Sequence, residues 1–450
     1  MLAANFERAG DTMNTLVVSD LHLGNGGSYD IFAGETELPR LWAKFKNEKL
    51  HVILNGDTFD FLMNDEPLEL AAPRADAQAR ALVAHPGTRN VLRGLGDIVR
   101  GGGKVTFRSG NHDLEIGLKS VQAIVLEAMG TQSGVVFSTG EEPLVVSTAA
   151  GAVLVAHGER EDDWNRFVHA DVRPENSSFR YPPGSKLVKT ILNRLKKERG
   201  LRFADLLKPD FSGAVLAALA VQPSAVSELG KSTAGKLVYQ LVKRKLVDPD
   251  AFSEQAAEES LGTVSAIEAA GLTDEEQVAL EAYTDDVSQP EGFWGEDILK
   301  RALHKVGTAA LKGYAAAHRL IAGDGSASCF SLSPDADEWK AARTLGDTHG
   351  ARYVIAGHTH AARWARDATF GYLNTGTWIH LMRLPAPTAS TGEWAAFLEL
   401  LKRDPGLSGE AKSLLERRFT CAFVDAASGL SLRSWNGEEL VLLEPVTMKR

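Results

Sequence analysis

Short apolar runs alternate with a helical pattern at the start of the chain. Residues 15–19, 51–54 and 105–107 are apolar or β-prone runs of strand length, and each leads into a polar cluster. Between the first two runs, apolar residues recur every three or four positions from 38 to 45, which predicts a helix. The order strand, helix, strand predicts the start of a βαβ layer.

Three more β-prone runs follow a helical pattern at 120–129. They lie at 135–137, 144–146 and 152–156 and are separated by Gly- and Thr-containing turns, so we expect an antiparallel second sheet or sheet edge. The last third of the chain predicts further strands at 353–356, 370–373, 421–424 and 430–435.

The strand signal almost disappears in the middle of the chain. A pattern rich in Ala, Leu, Lys and Glu replaces it, between a Pro-rich loop at 180–184 and a Gly-containing linker at 323–326. We therefore predict a core whose first part is residues 1–165, a helical insertion at 166–335, and a second core part at 336–450.

Composition narrows the class of protein. The net charge of −10 provides no global cationic field for nucleic acid, although a local basic groove stays open. The two cysteines, Cys329 and Cys421, suggest neither a disulfide framework nor a thiolate metal site. No apolar run approaches the length of a membrane span, and the N-terminus is unlike a signal peptide, so we expect a soluble, cytoplasmic protein.

Five polar clusters follow the short apolar runs. We expect them at the same ends of the strands in one sheet, where open α/β folds place their sites. The clusters are Asp20-Leu21-His22, Gly56-Asp57-Thr58-Phe59-Asp60, Gly110-Asn111-His112-Asp113, His157-Gly158-Glu159 and Gly357-His358-Thr359-His360.

The side chains in these clusters are suited to metal binding. Carboxylate, imidazole and amide groups without cysteine favour Mn²⁺, Fe²⁺/Fe³⁺ or Zn²⁺. Asp20 and His22 are two residues apart, as are His358 and His360, which on a strand would put each pair on one face. Seven candidate ligands are more than one ion needs. Two ions about 3.5–4 Å apart that share a carboxylate would use all seven. Such a pair activates water, so hydrolysis of a phosphate ester or anhydride is the expected reaction.

Taken together and in this order, the five clusters resemble the motif set of calcineurin-like metallophosphoesterases. The resemblance implies a four-layer α/β/β/α sandwich with a dinuclear site and, here, a large helical insertion as a cap. It also implies two divalent or trivalent metal ions, with manganese favoured over iron or zinc. One ion would be held by Asp20, His22, Asp57 and His360, and Asp57 would bridge to a second ion held by Asn111, His157 and His358.

The same resemblance implies roles for the remaining polar residues. His112 would contact the scissile phosphate and protonate the leaving oxygen or stabilise developing charge, with Asp113 orienting its ring. Asp60 would support the ligands from outside the set. A hydroxide activated by both metals would attack phosphorus in line.

Within this superfamily, the first two clusters and Leu373-Asn374-Thr375-Gly376-Thr377-Trp378 look most like the branch of UDP-2,3-diacylglucosamine hydrolases. That branch has arginine where His112 stands and a much shorter cap, so the substrate is not carried over. A nuclease-type phosphodiesterase is the alternative enzyme, and a non-catalytic, metal-bound scaffold is the alternative outside enzymes.

Partners are less defined than chemistry. Basic segments at 186–199 and 236–247 would recognise an anionic substrate or touch a membrane surface, or they would be ordinary solvated helix faces. The expected partner is a phosphorylated small molecule or nucleotide-linked substrate, with nucleic acid less favoured. The sequence leaves open the substrate, the choice among monoester, diester and pyrophosphate, and the oligomeric state.

Overall fold

The computed structural model describes residues 13–173, 179–208, 211–227, 270–284, 296–322 and 330–448. Within these residues the protein is α/β, with two mixed sheets and a two-stranded sheet. The strands are β1 (Asn14–Val18), β2 (Leu50–Asn55), β3 (Lys104–Arg108), β4 (Val135–Ser138), β5 (Leu144–Thr148), β6 (Gly151–Val155), β7 (Tyr353–Ala356), β8 (Ala362–Arg366), β9 (Gly371–Thr375), β10 (Leu381–Met382), β11 (Leu415–Glu416), β12 (Thr420–Asp425), β13 (Gly429–Trp435), β14 (Leu440–Leu443) and β15 (Val446–Thr447).

Helices connect many of these strands. The α-helices in the described residues are Glu37–Phe45, Ala72–Ala84, Pro86–Arg100, Lys119–Met129, Pro183–Leu187, Asn193–Arg199, Phe211–Val221, Pro223–Ser227, Asp274–Thr284, Glu296–Ala322, Ala336–His349 and Thr391–Arg403. A π-helical turn at Val188–Leu192 joins two of them.

The larger sheet has seven strands in the order β14-β13-β12-β1-β2-β3-β4. Strands β1 to β4 are parallel neighbours, and β12 pairs with β1 in the antiparallel direction. The pairing of β4 with β3 corrects the prediction that residues 135–137 belong to an antiparallel second sheet. The helix Lys119–Met129 lies between these strands in sequence and supplies the long crossover that a parallel pair needs.

The second mixed sheet has six strands in the order β15-β8-β9-β7-β6-β5. Strands β6, β7 and β9 are parallel, whereas β5 and β8 are antiparallel to their neighbours β6 and β9. The five polar clusters therefore follow strands of two sheets, and the prediction of one sheet is wrong. The runs before the first three clusters are in the seven-stranded sheet, and those before the last two are β6 and β7.

A shared apolar core joins the two mixed sheets. Val17 and Ile53 of the first sheet lie in one buried cluster with Val155, Ile355 and Leu373 of the second. Two sheets that bury one face each against the other need no further partner on those faces. The opposite face of the six-stranded sheet packs on the helix Ala336–His349, through a second buried cluster.

The chain divides into two compact units. Unit 1 contains Met1–Lys189, Ser331–His380 and Arg417–Arg450, and therefore both mixed sheets. Unit 2 contains Thr190–Phe330 and Leu381–Glu416. Unit 2 thus includes the helix Thr391–Arg403, which belongs to the segment predicted as the second core part. No helix in the described part of the chain is long and apolar enough to cross a membrane.

Several cations of the basic segment 186–199 have partners. Lys196 Nζ lies 3.0 Å from Oδ2 of Asp205, and both side chains are buried. Arg194 Nε lies 3.3 Å from a carboxylate oxygen of Glu198. Part of the predicted cationic charge is therefore neutralised within the fold. The second basic segment, at 236–247, lies outside the described residues.

Candidate metal centre

The polar clusters lie just beyond the carboxyl ends of five strands. After β1 and β2 the two chains continue side by side, because the amides of Asp20 and His22 donate to the carbonyls of Gly56 and Asp57, at 3.1 and 3.0 Å. The segments that follow β6 and β7 are joined in the same way, with the amide of Gly357 donating to the carbonyl of His157 at 2.8 Å. Backbone pairing thus brings distant motifs together before any side chain is considered.

The candidate ligands have an unusual backbone conformation. Among the described residues, six other than glycine have a positive φ, between 49° and 70°. Five of the six are predicted ligands: Asp20, His22, Asp57, His358 and His360. This left-handed conformation costs of order 1–3 kcal/mol for a residue with a Cβ and collects at functional sites. The expectation that the pairs lie on one face of an extended strand is therefore wrong, because both pairs lie beyond the strand ends.

Four groups of side chains in the described residues converge within ligating distance, and two of them consist only of predicted ligands. The first cluster is Asp20, His22 and His360, and the second cluster is Asp57, His157 and His358. In each group, one ligand atom of every residue lies within 4.8 Å of the others. His358 and His360 therefore point to different clusters although they are two residues apart. Each of these buried groups could hold a metal ion.

Asp57 belongs to the second cluster and also lies near the first. Its Oδ2 is 3.4 Å from Nε2 of His157 in the second cluster and 4.0 Å from Nε2 of His22 in the first. Its Oδ1 accepts a hydrogen bond of 2.8 Å from the amide of His112. Asp57 is therefore close to histidines of both clusters.

Neighbouring groups determine which nitrogen of each histidine is available to a metal. Nδ1 of His157 donates to the carbonyl of Asn55 at 2.8 Å, and Nδ1 of His22 faces the carboxylate of Asp60 at 3.0 Å. Both rings therefore present Nε2. The ring of His358 is reversed: its Nε2 faces Oδ2 of Asp162 at 2.9 Å, which leaves Nδ1. Hydrogen bonds of this kind orient metal-ligating histidines.

The donor atoms left over fit a cation. Nε2 of His22, Nε2 of His157, Nδ1 of His358 and Oδ1 of Asn111 are buried and have no hydrogen-bond partner. A buried polar atom without a partner carries a desolvation cost of roughly 1–3 kcal/mol. All four atoms belong to predicted ligands, and each carries a lone pair when its side chain is neutral. Nitrogen and oxygen donors without sulfur suit Mn²⁺, Fe or Zn²⁺.

The carboxylates and histidines shift one another's pKa values. Burial alone would raise the pKa of Asp57, but the histidines around it, His157 foremost, lower that pKa well below its usual range. Burial alone would lower the pKa of His157, yet the charges of Asp57 and Asp20 raise it to about 10. The site therefore stabilises positive charge strongly in the middle of buried carboxylates.

His112 lies beside the first cluster. Its ring is 4.7 Å from the ring of His22, edge to face, and its Nδ1 is 3.2 Å from Oδ1 of Asp60. The other oxygen of Asp60 faces Nδ1 of His22. The Asp60 carboxylate thus contacts both the candidate metal ligand His22 and the candidate general acid His112. Burial would raise the pKa of Asp60, but His112 and His22 hold it well below its usual value.

Asp113 has a different position from the one predicted for it. Its carboxylate accepts hydrogen bonds from the amides of Thr58 at 2.7 Å, Phe59 at 3.3 Å and Gly110 at 2.7 Å. Burial and the charge of Asp57 raise the pKa of Asp113 to about 7. Asp60, rather than Asp113, therefore contacts Nδ1 of His112. Asp113 instead joins two loops of the site through their backbone amides.

Two glycines allow the loops to approach this closely. A Cβ on Gly110 would lie 2.2 Å from Oδ1 of Asp57 and 2.7 Å from Nε2 of His157. Gly56 has a φ of +85°, and a Cβ there would lie 2.3 Å from the ring of His157. Any larger residue would displace the shared carboxylate or the histidine.

The sequence reasoning missed three residues around the ligands. Thr377 donates from Oγ1 to the carbonyl of Asp20 at 2.8 Å and faces Nδ1 of His360 at 3.2 Å. Asp162 faces His358, and Asn165 faces Nδ2 of Asn111 at 3.2 Å. The polar run Asp162-Asp163-Trp164-Asn165 begins five residues after His157, and its closeness to that motif is the signal that could have pointed to it.

Neither a model of a known protein family nor a curated protein matches this chain. The chemical interpretation of the site therefore depends on the geometry of the two clusters and on the donor atoms that they present.

Proposed function

We propose that this protein is a metal-dependent hydrolase that cleaves a phosphate ester or pyrophosphate. The observation that supports this most directly is the position of Asp57 near both clusters, where Nε2 of His22, Nε2 of His157 and Nδ1 of His358 are buried without a hydrogen-bond partner. The proposal includes two ions, with manganese favoured over iron or zinc, and a four-layer α/β/β/α sandwich of the metallophosphoesterase type.

The bound ions would supply an activated water molecule and neutralise charge on the phosphoryl oxygens. One ion would be held by Asp20, His22 and His360, and the other by Asn111, His157 and His358. Asp57 would contribute to both sites. The protein's contribution is to fix the lone pairs of these ligands before substrate arrives, through the hydrogen bonds of Asp60, Asn55 and Asp162.

His112 would act on the leaving group. Its Nδ1 is held by the negatively charged Asp60, so the imidazole proton that is passed to the leaving oxygen would come from Nε2. The carboxylate also stabilises the charged imidazole before transfer. Asp113 contributes indirectly, because it fixes the amides of Thr58 and Gly110 on either side of the site.

Substrate selection would come from the helical segment 166–335. Its support is compositional: this segment differs from the rest of the chain in its helical pattern and its local basic residues. A phosphorylated small molecule or a nucleotide-linked compound is the proposed substrate class.

Phosphorus NMR of the reaction products tests the activity. Mn²⁺-loaded protein is incubated with a phosphomonoester, a phosphodiester, a nucleotide-sugar pyrophosphate and a short single-stranded DNA. We expect the protein to hydrolyse at least one of the first three, Asp57→Asn to abolish turnover, and His112→Ala to bind metal but turn over about 10²–10⁴-fold more slowly.

Other outcomes would change the assignment. Cleavage of DNA alone would favour the nuclease alternative. No hydrolysis of any of the four compounds by protein with two bound ions would contradict the proposed activity and favour a scaffold. Turnover by His112→Ala at the parent rate would remove His112 from the reaction.

A further inference from the structure

The segment 162–165 connects two candidate ligands that come from different sheets. Asp162 accepts a hydrogen bond of 2.6 Å on Oδ2 from the side-chain amide of Asn165, and the same oxygen faces His358 Nε2 at 2.9 Å. Asn165 in turn accepts on Oδ1 from Nδ2 of Asn111 at 3.2 Å. A chain of polar contacts thus runs from His358 through Asp162 and Asn165 to Asn111.

Each contact in this chain determines which atom a ligand presents. A carboxylate can only accept from the ring of His358, so the proton is on Nε2 and the lone pair is on Nδ1. Asn165 accepts from the amino group of Asn111, so the Asn111 carbonyl oxygen is turned the other way. The two atoms left, Nδ1 of His358 and Oδ1 of Asn111, are both buried and without a hydrogen-bond partner.

The segment is itself held in place. Oδ1 of Asp162 accepts a 2.8 Å hydrogen bond from the amide of Trp164, and the carbonyl of Trp164 accepts from the amide of Gly184 at 2.7 Å. A Cβ on Gly184 would lie 2.1 Å from Oδ1 of Asn165, so a larger residue there would displace that oxygen. Asp162 and Asn165 therefore have defined positions rather than being free surface side chains.

We propose that Asp162 and Asn165 are positioning residues for the second ion: they select the Nδ1 tautomer of His358 and the amide orientation of Asn111. This inference rests on the proposed function, because it assumes that the second cluster and Asn111 hold an ion. The first cluster contains neither contact and should be independent of this pair. Loss of such a supporting hydrogen bond typically weakens metal binding about 10–100-fold.

Calorimetric titration with Mn²⁺ is the primary test. The parent should bind two ions, and Asp162→Ala should bind the first with parent affinity and the second about 10–100-fold more weakly. Asn165→Ala should weaken only the second ion, by a smaller factor. Asp163→Ala is the matched control, because the Asp163 carboxylate, next in sequence to Asp162, is 83% exposed and pairs with Arg166. This variant should bind both ions as the parent does.

A spectroscopic readout separates positioning from a general loss of structure. In metal-free protein at alkaline pH, where no ion on Nδ1 selects the tautomer, long-range proton–nitrogen NMR should report the His358 proton on Nε2, with the assignment made by His358→Gln. The one oxygen of Asp162→Asn can take the place of Oδ2, which serves both His358 and Asn165, so this variant should keep the signature, whereas Asp162→Ala should lose it. Asp162→Asn also keeps the test valid if the alanine variant does not fold.

The possible failures are distinguishable. If the parent binds two ions and Asp162→Ala binds them with affinities within about twofold of the parent, only this inference is overturned. An unchanged His358 signature in Asp162→Ala would overturn it as well. Fewer than two ions in the parent would overturn the inference together with the two-ion proposal. If the parent binds two ions and Asp162→Ala weakens the second site, but the parent hydrolyses none of the test compounds, only the proposed activity is overturned.

Discussion

The two clusters differ in what holds their histidines. In the first cluster, His22 and His360 are held by Asp60 and Thr377, two residues that are 3% and 1% exposed. In the second, His157 is held by a backbone carbonyl, and His358 by Asp162, whose side chain is 33% exposed. The second cluster therefore has one support that water reaches.

This difference has an energetic consequence. A fully buried charged hydrogen bond acts in a low dielectric, whereas solvent competes for a partly exposed one. We expect the first cluster to be the more rigid of the two, and the second to depend more on a single contact. The following substitutions test this contrast, beginning with the largest expected effect.

Gly110→Ala should disrupt the second cluster most strongly. The new Cβ would lie 2.2 Å from Oδ1 of Asp57 and 2.7 Å from both the Asp57 amide and His157 Nε2, and a backbone atom cannot simply move aside. We expect loss of the second ion in Mn²⁺ calorimetry and turnover reduced by more than about 10²-fold. Gly140→Ala is the control, because a Cβ there meets nothing within 4 Å. Parent-like binding by Gly110→Ala would contradict the close approach of these loops.

Asp60→Asn should weaken the first cluster. The amides of Leu62 and Met63 keep the one asparagine oxygen in the place of Oδ1, so the amino group faces His22 Nδ1 and cannot accept from it. The ring would then take the other tautomer and turn a proton toward the ion. We expect the first ion to bind about 10–100-fold more weakly and turnover to fall through His112 as well. The exposed Asp97→Asn, which removes a carboxylate paired with Arg100, should change neither quantity. If Asp60→Asn weakened the binding of the second ion but not that of the first, the comparison between the two clusters would be reversed.

Glu115→Gln provides a reference carboxylate outside both clusters. Its Oε1 accepts from Tyr181 at 2.7 Å, and burial raises the pKa of Glu115 to about 7. Because the folded state then holds the proton more tightly than the unfolded state, stability falls as the pH rises from 4.5 to about 7. The variant should therefore equal the parent near the lower pH and exceed it at pH 8, by up to about 3 kcal/mol in urea unfolding.

The control for that measurement is Glu399→Gln, whose carboxylate is 61% exposed and pairs with Lys402. The contact with Lys402 lowers the pKa of Glu399, so Glu399→Gln should fall relative to the parent as the pH rises, opposite in sign to Glu115→Gln. An equal difference between Glu115→Gln and the parent at both pH values would show that Glu115 titrates normally.

Much of the fold around the site was predictable because strand signals are local. The runs at 15–19, 51–54 and 105–107 correspond to β1, β2 and β3 within a residue or two. β8 was not predicted. It contains Arg363, which is 3% exposed and donates to Glu338 and to the carbonyl of Ser331, so a charged residue occupies a buried strand position. No local pattern indicates such distant partners.

The sequence by itself determined which polar residues stand at strand ends, because a motif that follows a strand is delivered to the end of that strand whatever the rest of the chain does. Tertiary structure alone decided how they are arranged. It put β1 to β3 in one sheet and β6 and β7 in the other. It directed His358 and His360 into different clusters, and it placed Nδ1 of His112 against the carboxylate of Asp60. It also joined Asp162 to His358, 196 residues away. The physical reason is that hydrogen bonds between distant loops depend on the packing of the two sheets, which local periodicity does not record.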